Sequence, residues 1–358
     1  MAEADSRGGP PEKRTLSPLV VQYLYVHDPG EEFHYPSSRD RSGDPQRLAL
    51  RYLECVLVQA ASLRLRGVEC ELVLVTNLAA ETSALGRAAS KLLERTAMLD
   101  VRLVSAEYEH ARPSTGWFAA SRYVFDAIRV IAPAEDPDRP IWLLDVDCVW
   151  ISPPRAFEAM PAPPAIGCVE IPYPPDWTTG ANPGAIARLA EQMGAPPGPR
   201  PGWVGGELLA GRAAELIELL RACDELEAEL VAKGVELETE EHLLTLARAL
   251  GRVEMRDMEE IERIWTGARH GAPQQRDPAA LAVWHLPSEK GLAFRRTARE
   301  LALGRTQRVL RDLEDPQRAM RRFNVVGASP VRRVRDDLWL VRQRVADAAR
   351  ARLRAAGG

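Results

Sequence analysis

Apolar and polar stretches alternate along the chain in a pattern that predicts strands and helices in turn. An apolar run at 19–26 reads as a buried strand, stopped by His27, Asp28, Pro29 and Gly30. A polar, flexible loop over 31–43 follows, and then Asp44 and Pro45 supply an N-cap and a proline at the first helical position. Apolar residues at helical spacing carry that helix over 47–66, where Gly67 ends it. The same step recurs as a strand at 71–77, a helix at 83–98 and a strand at 101–105. A further helix at 117–131 is marked by Phe118, Tyr123, Val124, Ala127, Ile128 and Ile131, and a Pro/Asp loop then leads to a strand at 141–144. Strands alternating with helices of this length predict right-handed βαβ units and a parallel sheet, with ligands bound beyond the carboxyl ends of its strands.

The strand at 141–144 stands out. Its four apolar residues run without alternation into Asp145, Val146 and Asp147, and apolar residues resume behind them. This is the pattern of a buried central strand whose C-terminal end carries charge. On an extended chain Asp145 and Asp147 point the same way, so both can reach one hard cation through oxygen, and a divalent ion held there can grip a pyrophosphate. The plain alternative is that the strand ends there and both carboxylates are solvated or cap a turn. Cys148 faces away from the pair and packs.

Downstream the texture changes. Residues 152–201 hold many of the 28 prolines, with a short strand at 165–171 and a mobile loop at 172–182 that suits a lid. At 203–209, Gly205 and Gly206 break a strand-like run and let the backbone approach a ligand closely. A long helix at 213–233 ends near Gly234, and a second begins after Thr239, with Glu240 and Glu241 at its positive N-terminal end. A strand at 252–255, a polar loop at 265–271 and an apolar strand at 282–286 follow, with His285 at the exit of the last and Lys290 just past it. From Phe294 onward the chain reads as Arg-rich helix with a break at 324–330.

Composition narrows the class. A chain of 358 residues, 46% hydrophobic and 27% charged, is a soluble α/β protein of one large domain with appendages or two ordinary ones. It has no apolar run long enough to span a bilayer, and 1–17 is a polar leader unlike a signal peptide, so a cytoplasmic location is expected. Cys55, Cys70, Cys148, Cys168 and Cys223 are scattered without a Cys-x-x-Cys pair and read as buried thiols. The net charge of −4 conceals a basic tail: residues 293–358 carry 17 arginines against seven acids. The chain therefore divides into the leader 1–17, a domain at 18–292 and a basic helical extension at 293–358. The tail offers a peripheral membrane contact. It lacks the aromatic interleaving of a nucleic-acid platform, so no nucleic acid is expected as a partner.

The order of these parts resembles the GT-A glycosyltransferases, and most closely the metal-dependent glycogenin-like and bacterial galactosyltransferase-like families that use nucleotide sugars. The resemblance spans 19–291 and is strongest at 121–151. It implies a Rossmann-like sheet flanked by helices, with Asp145 and Asp147 binding Mn²⁺ or Mg²⁺ together with the donor diphosphate. His285 resembles the late histidine that completes the metal shell, and Lys290 the lysine that holds the leaving phosphate, here at His-x4-Lys rather than the family's His-x5-Lys. Arg122 sits where these families keep an arginine near the donor; its other reading is a surface helix arginine. Gly205, Gly206 and Glu207 resemble the glycine loop facing sugar and acceptor. Glu240 and Glu241 resemble the acidic helix start beside the anomeric carbon, and would otherwise be a solvated helix end. His27 and Asp28 would lie near base and ribose. The implied activity is hexosyl transfer from a nucleoside diphosphate to a hydroxyl of a carbohydrate, a small molecule or a protein.

Two other classes compete. The segment 143–149 also fits the first motif of haloacid-dehalogenase-type phosphatases, with Asp145 as nucleophile, Asp147 as acid/base and Asp336 and Asp337 as the late acidic pair. That fold opens with this strand, whereas here three strand–helix units precede it. The third class is a non-catalytic protein that binds through the basic tail.

Overall fold

The computed structural model describes residues 16–27, 45–78, 86–109, 120–177, 182–196, 202–266, 276–325, 334 and 338. Runs of leucine and valine form the first strands, as the pattern requires: β1 (Leu19–Leu24), β2 (Glu71–Thr76) and β3 (Val101–Ser105) lie parallel, linked by α1 (Pro45–Arg64) and α2 (Gly86–Ala97). After α3 (Tyr123–Ile131) the chain enters β4 (Pro140–Leu144), parallel to β1 on the side away from β2. β6 (Ile166–Ile171), β7 (Trp203–Arg212) and β8 (Met255–Asp257) complete a seven-stranded sheet of order β3-β2-β1-β4-β7-β6-β8, in which β7 runs antiparallel to both neighbours. Strand order reverses between β1 and β4, and an open α/β sheet leaves its binding crevice at such a point. A second sheet of β5 (Cys148–Trp150), β10 (Val283–His285) and β9 (Ile261–Arg263) stands beside it. α4 (Pro153–Glu158), α5 (Pro183–Gln192), α6 (Ala213–Ala232) and α7 (Glu240–Ala249) complete this mixed α/β body.

The structure departs from the sequence pattern at several places. The aspartates do not sit on an extended strand. The chain turns at 145–147, with the Cys148 N–H donating to the Asp145 carbonyl at 3.3 Å, and leaves the main sheet for the second. Gly205 and Gly206 do not break β7, which runs through them; the adjustment is a register shift opposite them, between Cys168 and Val169. The proline-rich stretch contains α4 and α5, whose prolines occupy the first helical turn, where a missing N–H costs nothing. β8 begins where the strand expected at 252–255 was to end, and β9 has no counterpart in the sequence reading. Asp28, 178–181 of the expected lid, 267–275 and the pair Asp336 and Asp337 lie outside the described residues.

One continuous core joins both sheets and extends into the C-terminal helices. α8 (Arg295–Ala302), α9 (Thr306–Glu314) and α10 (Pro316–Arg322) add Val309 and Leu313 to it, together with Phe294 and Phe323, whose rings lie 5.5 Å apart. α8 packs on α1. Arg322 is buried and paired with Asp312 and with Glu300 at 3.0 Å, so this arginine works inside the fold. All five cysteines are buried and free. No helix among the described residues is long and apolar enough to cross a membrane.

Candidate active site

Tyr23 at the end of β1 and Asp145 just past β4 face each other across the crevice. The Tyr23 hydroxyl donates to Asp145 Oδ1 at 2.7 Å. The Asp145 backbone is fixed as well: its N–H donates to the Glu207 carbonyl, and its carbonyl accepts from Gln59 Nε2, each at 3.0 Å. Two residues on, Asp147 is 1% exposed, and its carbonyl accepts the Leu286 N–H at 3.0 Å. Antiparallel pairing of β10 with β5 sets His285 opposite Cys148, which carries the imidazole to the turn. Its Nε2 lies 3.4 Å from Asp145 Oδ2 and 3.3 Å from Asp147 Oδ2. Lys290 follows with Nζ 2.8 Å from Asp147 Oδ2 and 5.3 Å from the centre of the Tyr52 ring.

Charge in this cluster is strongly coupled. Burial opposes ionisation of Asp147, but Lys290 and His285 outweigh it and hold the carboxyl well below its usual range. Burial likewise works against the charge on His285, yet Asp147 and Asp145 raise its pKa well above the ordinary imidazole value. Lys290 follows the same logic and is raised by the two aspartates.

The residues fit a divalent ion. One ligand atom each from Asp145, Asp147 and His285 lie within 4.8 Å of one another. His285 Nε2 faces both carboxylates, is buried and completes no hydrogen bond, a condition that a protein interior rarely leaves uncompensated. The 3.4 and 3.3 Å from His285 Nε2 to the two carboxylates approach the ~3 Å edge of an octahedron built at about 2.1 Å, and an oxygen and imidazole set suits Mn²⁺ or Mg²⁺ better than a thiolate metal.

A second buried cluster adjoins the first. Glu207 on β7 is fully buried and is gripped by Arg263 on β9, whose Nε lies 3.1 Å from Oε1 while Nη2 bonds Oε2. The same Nη2 reaches Glu241, which also accepts from Trp203 Nε1 at 2.8 Å and from the Gly206 N–H at 3.1 Å. Burial opposes the charge of Glu207, but Arg263 and then His285 hold its carboxyl down to about 2. Glu240 opens α7, where Thr239 caps the helix by accepting the His242 N–H. Burial first, then the charges of Glu241 and Asp145, push the Glu240 carboxyl up to about 8. The glycines of β7 make room for these acids. A Cβ on Gly205 would overlap the Glu207 carboxylate, and one on Gly206 the Glu240 carboxylate.

A cavity of about 200 Å³ brings Tyr23, Asp145, Asp147, Glu240, Glu241, Arg263, His285 and Lys290 to one surface, with Tyr25, Tyr52 and Trp265 as aromatic walls. Arg122 turns elsewhere: it is buried, ion-paired with Glu227 and donating to the Leu237 carbonyl between α6 and α7. His27 is buried, with its ring 5.1 Å from that of Tyr25. Sequence reasoning passed over Tyr23 and Arg263. The crevice rule applied to the end of the first strand marks Tyr23, whereas nothing local marks Arg263.

No family model matches the sequence, and no curated protein matches it. Among solved structures the chain is similar to mouse xyloside xylosyltransferase 1 in its apo form, with 8% identity over 75% of this chain and 97% of that one and a TM-score of 0.46. It is also similar to the galactosyltransferase LgtC in complex with donor and acceptor sugar analogues, with 12% identity, 75% and 86% coverage and a TM-score of 0.43. An active-site mutant of LgtC gives 13%, 75%, 86% and 0.45. At these scores the functional reading rests on the geometry of the site.

Proposed function

We propose that the chain is a metal-dependent glycosyltransferase of the GT-A kind, moving a sugar from a nucleoside diphosphate to an acceptor hydroxyl. The observation that carries this reading is the convergence of Asp145, Asp147 and His285 on one point, with Lys290 beside it, at the crevice between β1 and β4. Mn²⁺ or Mg²⁺ held by those three residues would neutralise the charge that develops on the departing diphosphate.

The remaining steps belong to the protein's own groups. Lys290, buried and charged, donates to the leaving phosphate, and it does so without transferring a proton. Tyr23 keeps Asp145 in place. Gly205 and Gly206 leave room for the Glu207 and Glu240 carboxylates beside the cavity, and Arg122 supports the site by tying α3 to α6. Glu240, with a carboxyl pKa near working pH, is the candidate base for the acceptor hydroxyl. Glu241, pinned by Trp203 and Arg263, orients the sugar or acceptor. Tyr25, Tyr52 and Trp265 supply apolar faces for the base and sugar rings.

Incubating the protein with a panel of nucleoside diphosphate sugars, with and without Mn²⁺, and separately with an aryl phosphate ester, tests the reading. Mn²⁺-dependent release of a nucleoside diphosphate with the ester untouched is the expected result. Ester hydrolysis without sugar-nucleotide turnover would instead support the phosphatase class.

A further inference from the structure

We infer that Glu207 and Arg263 are positioning residues for the imidazole of His285, an inference that rests on the metal-dependent reading above. Neither touches the point where Asp145, Asp147 and His285 converge. His285 presents Nε2 to the two aspartates, and on the opposite edge of the ring Nδ1 lies 3.6 Å from Glu207 Oε1. A carboxylate behind a ligating histidine sets the ring plane and decides which nitrogen faces the ion.

That carboxylate is itself immobilised. Arg263 engages both of its oxygens, and a planar guanidinium bound in this fork fixes the plane of the group it holds. Glu207 is fully buried, and the space its oxygens occupy is the space a Cβ at Gly205 would take, so the missing side chain at Gly205 is what makes room for this carboxylate. Arg263 is in turn anchored by Glu241, whose partners Trp203 and Gly206 belong to the same strand as Glu207. Strand β7 thus supplies both the carboxylate and the support of the arginine that aims it.

The test is Mn²⁺ affinity of the metal-free full chain, read without substrate from the electron paramagnetic resonance of the free ion. Asp145→Asn reports on the metal site itself and should bind Mn²⁺ weakly. Glu207→Leu should weaken binding by about tenfold or more, the range for partners of metal ligands, while Glu207→Gln, which keeps an oxygen towards Nδ1, should stay within about threefold of wild type. Arg263→Lys keeps the charge but loses the fork and should fall between them. Wild-type affinity in Glu207→Leu, with weak binding by Asp145→Asn, overturns this inference alone. Wild-type affinity in Asp145→Asn overturns the metal site and the function proposed on it. Because Glu207→Leu strands Arg263 and can fail to fold, Arg263→Lys is read beside it: wild-type affinity in that folded variant also overturns the inference.

Discussion

Asp145 and Asp147 meet His285 by a turn rather than by strand alternation, and the two carboxylates differ in what else depends on them. The Asp145 side chain is 34% exposed and held by Tyr23, whereas that of Asp147 is 1% exposed and neutralises the buried Lys290. Asp145→Asn should therefore cut Mn²⁺-dependent turnover on the order of 10²–10³-fold with little change in unfolding temperature. Asp147→Asn should lose turnover as severely and also lose stability, by up to about 3–5 kcal/mol, since it strands a buried ammonium. Equal thermal stability of the two variants would contradict that distinction. Glu240 gives a pH signature. Its folded carboxyl, at about 8 against an ordinary 4.5, binds a proton more tightly than the unfolded one, so its contribution to stability is complete below 4.5 and is lost as pH rises to about 8. Glu240→Gln stays neutral throughout, so denaturant unfolding across that window should show the variant gaining on wild type as pH rises. At this scale Asp145, Asp147, His285 and Lys290 were legible because residue type and order along the chain carry their chemistry. Tyr23 was within reach of the crevice rule but was passed over, and Arg263 was not legible, because it acquires its place only through Glu207 and Glu241, distant in sequence.

Among the elements, β7 does most to shape the site: it carries Glu207, faces Glu240 through Gly206 and receives the bonds that fix Glu241. Gly206→Ala should push the Glu240 carboxylate out of position, costing about 1–3 kcal/mol as overpacking does and lowering turnover more than that loss of stability explains. Normal kinetics in a folded Gly206→Ala protein would show that the strand has spare room. The βαβ steps from β1 to β4 were readable because β1, β2 and β4 are mostly apolar runs and the helices between them repeat an apolar face. β9 and β10 are three residues each, too short for a period to show; β10 was found through its apolar content and β9 was missed. Among the prolines that mark the change of texture at 152–201, Pro153 and Pro183 open α4 and α5, so a residue that breaks a helix interior was marking a helix start.

Over the whole molecule, sheet order decides where chemistry sits, since the reversal between β1 and β4 leaves a crevice that Tyr23, Asp145 and the second sheet close around. The arginine count marked 293–358 as a basic helical extension, and within it Phe294, Leu313 and Phe323 share one core with the sheet strands. Phe323→Ala should cost about 3–5 kcal/mol of global stability, and calorimetry should show one cooperative transition for the body and helices α8–α10 together; a separate low-temperature transition would mark those helices as an independent unit. The central claim is that Asp145, Asp147 and His285 hold a divalent ion for a donor diphosphate, and isothermal titration of a nucleoside diphosphate into the protein with and without Mn²⁺ tests it most directly. The account predicts binding that needs Mn²⁺ in wild type and loses that dependence in Asp145→Asn. Equal affinity in the absence of metal, or unchanged Mn²⁺-dependent binding in Asp145→Asn, would contradict it.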